Sequence, residues 1–334
     1  MQDPVSLFER ARAGDRRALA RLITLLEEGG EAAARVGAYL FPYTGQAYVI
    51  GITGPPGSGK STLVNALARA YRERGETVGI VAVDPSSPFT GGALLGDRVR
   101  MQDVAGDPGV FIRSMATRGS LGGLARATGE VVRALDAVGF RYILVETVGA
   151  GQVEVDIARA ADTVVVVQAP GLGDDIQAIK AGILEIADIL VVNKADREGA
   201  AATVHILRSM LSLGGPALIR HHGQQMVVQG VAPMASGWTP PILQTVATAG
   251  KGIPELVEAI EAHRAYLERS GEGEGRRRRR MAEELSQRVR ERLWADVVRR
   301  VGRARLDGLV EQLARREIDP YTAVERLLAE LGNG

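Results

Sequence analysis

The chain has 334 residues, 46% of them hydrophobic and 24% charged, with a formal net charge of +1. That length supports one large α/β domain with helical additions, or two domains with separate cores, and the composition is that of a globular protein. The near-neutral balance gives no general attraction to nucleic acid, zero cysteines exclude disulfide staples, thiol catalysis and cysteine-ligated metal centres, and no apolar run reaches the length of a membrane span. The opening residues lack the basic-then-apolar layout of a secretory signal, so the expectation is a cytoplasmic protein with no membrane or nucleic-acid partner.

Between about Ser6 and Tyr39, the apolar positions Leu7, Ala11, Leu19, Leu22, Ile23 and Leu26 fall at helical spacing, interrupted at Gly14-Asp15 and Gly29-Gly30. Residues 1–45 therefore read as an N-terminal helical extension. From Tyr48 the texture changes to short β-branched runs alternating with longer helical patterns. The runs fall at 48–53, 77–83, 110–115, 142–145, 163–169, 189–192 and 242–246. Val164 to Val167 is apolar on both faces, as in a strand covered by helices on both sides. These features predict a doubly wound α/β domain with a mostly parallel sheet over 46–270. Pro254 suits the first turn of a helix running to about Arg269, and Gly271 to Gly275 reads as a flexible joint. Beyond it Met281, Leu285, Val289, Leu293, Val297 and Val301 recur every four residues, a stripe along one side of a long helix, and a second helical segment follows. Residues 276–334 form a C-terminal helical arm.

The segment Gly54-Pro55-Pro56-Gly57-Ser58-Gly59-Lys60-Ser61, followed by Thr62, fits G-x-x-x-x-G-K-[ST] and lies between an apolar strand and a helical run. Its glycines let backbone amides close round phosphate oxygens, the helix N-terminus adds a favourable dipole, Lys60 reaches the β and γ phosphates, and the Ser61 hydroxyl suits Mg²⁺. Asn193-Lys194-Ala195-Asp196 follows the strand at 189–192, so its polar side chains emerge at the carboxyl edge of the sheet. It matches the N-K-x-D guanine motif, in which Asp196 accepts from N1 and the 2-amino group of guanine, the Lys194 stem covers the ring and Asn193 braces the loop. Adenine would leave Asp196 unpaired, so GTP and GDP are the expected nucleotides. Thr248-Ala249, after the strand at 242–246, resembles the loop that lends a backbone amide to guanine O6.

Asp84 and Glu146 close strands where each could hold Mg²⁺ directly or through water. Gly149 is spaced from Glu146 so that its amide can meet a γ-phosphate. Asp97 lies in a glycine-rich loop and reads equally well as a helix cap. Lys60, Glu146 and Gln152 are the candidate catalytic groups. No glutamine directly follows Gly149, and Gln152, three residues on, reaches the attacking water only if its loop moves. Slow intrinsic turnover accelerated by a partner is the expected behaviour.

With these motifs the sequence resembles the methylmalonyl-CoA mutase-associated GTPases of the MeaB type, formerly catalogued as arginine/ornithine transport-system kinases. The likeness runs nearly end to end. Its most specific stretches are the run from Val83 to Arg98, Glu146-Thr147-Val148-Gly149-Ala150-Gly151-Gln152, and the run from Gly173 to Ile183. The resemblance implies Mg²⁺ handling by Ser61, Asp84, Asp97 and Glu146. It also implies nucleotide-responsive loops after Asp84 and Glu146 and a third switch around Asp174 and Lys180. The implied partner is an adenosylcobalamin-dependent acyl-CoA mutase, whose cofactor loading the GTPase gates and whose active form it protects. The implied assembly is a homodimer through the C-terminal arm, which agrees with the striped helix. Residues 220–236 depart from the pattern.

Weaker signals read more simply. Arg276 to Arg280 suit a solvated helix face, no histidine set has zinc spacing, the His221-His222 pair falls in an expected loop, and Trp238 and Trp294 read as packing residues. Two other functions remain open: a nucleotide-dependent kinase of an arginine/ornithine (LAO/AO) transport system, and a metallochaperone GTPase. The second would call for a cysteine- or histidine-rich metal loop, which the sequence lacks.

Overall fold

The structure, a computed structural model, describes residues 3–84, 104, 106–116, 121–147, 160–171, 185–212, 217–221, 224–228 and 237–332. At 84, 116, 121–126, 212, 217–221, 224–228, 331 and 332 it describes the backbone alone. The chain divides into two compact units, Met1–Gly271 and Glu272–Gly334.

In the first unit, helices α1 (Pro4–Arg12), α2 (Arg16–Glu28) and α3 (Gly30–Leu40) precede the sheet. Asp15 caps α2 by accepting from the amides of Arg17 and Ala18, and those backbone bonds, with Arg10 beside it, hold its carboxyl below the usual range. A parallel sheet of 7 strands follows, in the order β3-β2-β4-β1-β5-β6-β9. Its strands are β1 (Tyr48–Thr53), β2 (Val78–Asp84), β3 (Val110–Ala116), β4 (Tyr142–Thr147), β5 (Thr163–Gln168), β6 (Ile189–Asn193) and β9 (Ile242–Thr245). A separate antiparallel pair is formed by β7 (Ala217–His221) and β8 (Gln224–Val228). The main sheet is thus wholly parallel, and His221, expected with His222 in a loop, ends a strand of this hairpin.

Helices α4 (Lys60–Glu73), α5 (Leu121–Ala137), α6 (Ala200–Ser212) and α7 (Ile253–Ser270) complete this unit. One face of the sheet, with Ile50, Ile52, Ile80, Leu144, Val165 and Val191, packs on Leu63, Leu67 and Tyr71 of α4 and Leu256, Val257 and Ile260 of α7. The other face, with Val49, Val81, Ile143, Val145, Val166 and Leu190, shares a core with Phe8, Leu22, Ile23 and Leu26 of the N-terminal helices, Leu135 of α5 and Leu207 of α6. Burial on both faces explains why these strands read as continuous apolar runs. Because β1 lies between β4 and β5, the chain leaves it in one direction and later returns on the other side. That arrangement opens a crevice at the carboxyl edge beside β1.

The second unit holds α8 (Glu272–Val301), α9 (Arg303–Ala314) and α10 (Pro320–Gly332). The segment expected to be a flexible joint is helical from Glu272, and only Gly271 adopts a left-handed conformation (φ 74°). Glu272 and Glu274 in the first turn complement the helix dipole, and Glu274 pairs with Arg278 at 2.8 Å, which together offset part of the cost of Gly273 and Gly275. Trp294, expected to be a packing residue, is exposed.

Candidate nucleotide-binding site

The phosphate loop spans the gap between Thr53, the last residue of β1, and Lys60, the first of α4. Gly54 (φ 139°) and Gly59 (φ 90°) occupy conformations that L side chains rarely adopt. Space is equally restrictive: a Cβ at Gly54 would collide with the Val167 carbonyl, and one at Gly59 with the Asn193 amide. Glycine is required at both positions for the loop to close against β5 and β6.

Lys60 is buried and donates to the carbonyls of Gly54 (2.7 Å) and Pro55 (2.9 Å), so its ammonium sits across the mouth of the loop. The Ser61 hydroxyl donates to Glu146 Oε1 at 2.6 Å, and both residues are buried. This hydroxyl–carboxylate pair offers hard oxygen donors of the type that Mg²⁺ takes. Thr62 follows on α4 and is half-buried. The backbone of Asp84 closes β2 beside β4. Its side chain, and Asp97, Gly149, Gln152, Asp174 and Lys180, lie outside the described residues.

Asn193 ends β6 and does more than brace its own loop. Its amide nitrogen donates to the Ser58 carbonyl (2.9 Å), and its Oδ1 accepts from the Thr245 hydroxyl and the Ala247 amide, each at 3.1 Å. One buried side chain thus joins the phosphate loop, the N-K-x-D loop and the loop after β9. Lys194 holds φ 56°, a conformation uncommon outside glycine, and its Nζ donates to the Gly57 carbonyl at 2.6 Å. The Lys194 stem is thereby drawn over the crevice, while Asp196 is exposed at its rim. Thr248 and Ala249 are exposed in the turn after β9, but the Ala249 amide donates to the Val246 carbonyl (2.9 Å), which leaves Thr248 as the better placed of the two for a base.

Three features are not evident from sequence alone. The Thr147 hydroxyl donates to the Thr53 hydroxyl at 3.0 Å, with both residues buried, and Thr245 joins the Asn193 hub. Their one sequence signal is a polar residue ending an otherwise apolar strand. At the opposite edge of the sheet lies a buried polar cluster in which His263 Nδ1 hydrogen-bonds Thr163 at 2.8 Å and Nε2 approaches Asp188 at 3.3 Å. Trp238 donates its indole N–H to the Asp188 carbonyl at 2.8 Å and packs against the His263 ring. These contacts anchor α7 to β5 and β6 and stand apart from the crevice.

The comparisons with known proteins agree with this geometry. Residues 19–301 match the family described as methylmalonyl Co-A mutase-associated GTPase MeaB. A relative from Pyrococcus abyssi, described as a GTPase, is 51% identical over 98% of this chain and 97% of its own. The methylmalonic aciduria type A homolog of Mus musculus is 34% identical over 67% of this chain and 50% of its own. The crystal structure of a LAO/AO transport system kinase superposes with a TM-score of 0.68 at 25% identity, covering 98% of this chain and 97% of that one. A phosphate loop and a guanine motif at one sheet edge, together with these matches, establish that the chain belongs to the MeaB family and is a GTPase.

Proposed function

We propose that this GTPase requires Mg²⁺ and regulates an adenosylcobalamin-dependent acyl-CoA mutase, gating cofactor loading and protecting the active enzyme. The observation that carries the reading is the single crevice in which Lys60, Ser61, Glu146 and the Asn193 hub converge, in a chain whose family is described as mutase-associated. Ser61 and Glu146, with Asp84 and Asp97, would hold Mg²⁺. That ion, once bound, neutralises charge on the β and γ phosphates. Lys60 exchanges its two loop carbonyls for phosphate oxygens, and the helix N-terminus and loop amides of Gly57, Ser58 and Gly59 complete the cradle. The Gly149 amide meets the γ-phosphate. Gln152 orients water only after its loop moves, so turnover without a partner is slow.

Asp196 selects guanine by accepting from N1 and the 2-amino group, beneath the Lys194 stem and beside the Thr248 amide. Asp174 and Lys180 belong to the switch that relays nucleotide state to the mutase. Homodimer formation through α8 is part of the same reading, supported by the exposure of Met281, Leu285, Val289 and Leu293 along one line. Cytoplasmic residence belongs to it as well. No helix among the described residues is long and apolar enough to cross a membrane.

The experiment is reconstitution with a purified acyl-CoA mutase in its cobalamin-free form. Cofactor uptake that differs between GTP and a non-hydrolysable analogue is expected, and uptake indifferent to nucleotide and to this protein would defeat the proposal. The likeness to a solved transport-system kinase favours a second reading, in which this chain phosphorylates a transport protein. γ-Labelled GTP separates the two: free phosphate supports hydrolysis, whereas label retained on a second protein supports the kinase.

A further inference from the structure

The threonine pair beneath the phosphate loop has no place in the roles given so far. β1 and β4 run in parallel register with Ile52 beside Glu146, and their backbone ladder ends at that pair. One residue further along, the Thr147 hydroxyl donates to the Thr53 hydroxyl at 3.0 Å, so this side-chain bond is the last tie before the two strands part.

Successive side chains on a strand point to opposite faces. Glu146 points to the face covered by α4, where it accepts from Ser61 at 2.6 Å, so Thr147 points to the opposite face. Neighbouring residues of β4 therefore grip the two ends of one loop. Glu146 holds Ser61, where the phosphate loop enters α4, and Thr147 holds Thr53, from which the loop departs. Both threonines are fully buried: Thr147 is 0% exposed and Thr53 1%. Valine has nearly the same shape and would fill such a site without the cost of desolvating a hydroxyl, so the pair is justified by the bond it makes.

We propose that Thr147, through its bond to Thr53, is a positioning residue for GTP hydrolysis: it completes a two-point clamp that fixes Glu146 against the phosphate loop. The inference rests on the proposed role of Glu146 in Mg²⁺ handling. The pair lies on the sheet face opposite to Glu146 and Ser61. It acts on the placement of Glu146, so turnover and Mg²⁺ dependence feel the clamp while nucleotide affinity without Mg²⁺ does not.

The test is a double-mutant cycle with Thr53→Val and Thr147→Val, with Thr147→Ser as the conservative variant. Four quantities are read: kcat for GTP, the Mg²⁺ concentration giving half-maximal rate, GDP affinity in EDTA, and melting temperature. Each valine variant is expected to lose roughly fivefold to twentyfold in kcat, with GDP affinity in EDTA changed by less than about twofold, and the double variant to be no worse than the singles. Thr147→Ser, which keeps the hydroxyl, restores the rate. The Mg²⁺ requirement rises in both valine variants.

A loss of melting temperature without a change in kcat overturns the proposal, as do single effects that multiply in the double variant or a Thr147→Ser variant as slow as Thr147→Val. Where Thr147→Val fails to fold, Thr53→Val, which removes the acceptor of the same bond, takes its place, and a kcat equal to the parent's overturns the proposal. Glu146→Gln separates the two readings. If it leaves the Mg²⁺ requirement unchanged, the assigned role of Glu146 fails, while the cycle on kcat still judges the threonines.

Discussion

The two units of this chain handle apolar surface in opposite ways. In Met1–Gly271 the central strands of the sheet are buried on both faces, and among the described residues the large exposed apolar side chains of that unit are confined to Tyr39, Phe41 and Tyr43. In Glu272–Gly334 the described buried apolar residues are Leu309 and Ala323, whereas Met281, Leu285, Val289, Leu293, Trp294, Val310, Tyr321, Val324 and Leu328 are exposed. The first unit carries its own core, and the chemistry is built on that rigid edge. The second, among the described residues, carries three helices and an exposed apolar stripe, the feature on which the proposed self-association rests.

The sharpest way to break this division is at the crevice. Lys60→Ala removes the ammonium that spans the loop and is expected to lower GTP turnover by about a hundredfold or more. The strands remain folded, because the loop glycines and the Asn193 hub are untouched. Turnover by phosphate release, with circular dichroism as the control for folding, checks this. A variant turning over within a fewfold of the parent would remove Lys60 from the mechanism.

A smaller effect is expected from the other unit. Leu285→Asp combined with Leu293→Asp places two charges in the stripe and is expected to weaken self-association by about tenfold to a thousandfold. Sedimentation should report half the parent mass, and GTP turnover without partner should stay within about twofold because the crevice lies wholly in the first unit. An unchanged mass would show that the stripe is covered by something other than a second copy.

The smallest effect concerns the edge of the sheet opposite the crevice. Tyr142 is pushed up to about 12, first by burial and then by donating to Glu261 at 2.9 Å, and burial pushes Tyr48 and Tyr71 up as well. A phenol with a raised folded value binds its proton more tightly in the native state. Its contribution to stability is whole below the ordinary tyrosine value of about 10 and is lost as pH rises above it. Unfolding midpoints measured from pH 8 to 11 should therefore fall above pH 10, and Tyr142→Phe should flatten that fall. A flat midpoint for the parent would contradict the burial argument.

The contrast between units also marks what the sequence can disclose. Apolar runs buried on both faces locate the central strands β1, β4, β5 and β6 within about two residues, because nothing in them competes with the β pattern. Ser61 and Glu146, set 85 residues apart, stand out separately on motif grounds, and the fold brings them to 2.6 Å. Asn193 reads as a brace, but its partners Ser58, Thr245 and Ala247 come from separate loops, and no local spacing encodes such a meeting. Thr53 and Thr147 pass without notice because threonine closing a strand is ordinary β chemistry. The Gly271 to Gly275 stretch misleads because its glycines suggest flexibility, whereas the Glu274–Arg278 pair and first-turn carboxylates support a helix there. The β7–β8 hairpin is hidden because Ala217–His221 and Gln224–Val228 mix polar and apolar residues, unlike the continuous apolar runs of the main sheet.

The central claim is that the crevice is a sensor whose hydrolysis is controlled by a mutase partner. Steady-state GTP turnover, measured with Mg²⁺ in the absence and presence of an adenosylcobalamin-dependent acyl-CoA mutase, tests it most directly. The claim predicts slow turnover alone and an increase of about tenfold or more with the mutase. Fast turnover by the purified chain, unaltered by the mutase, would contradict it.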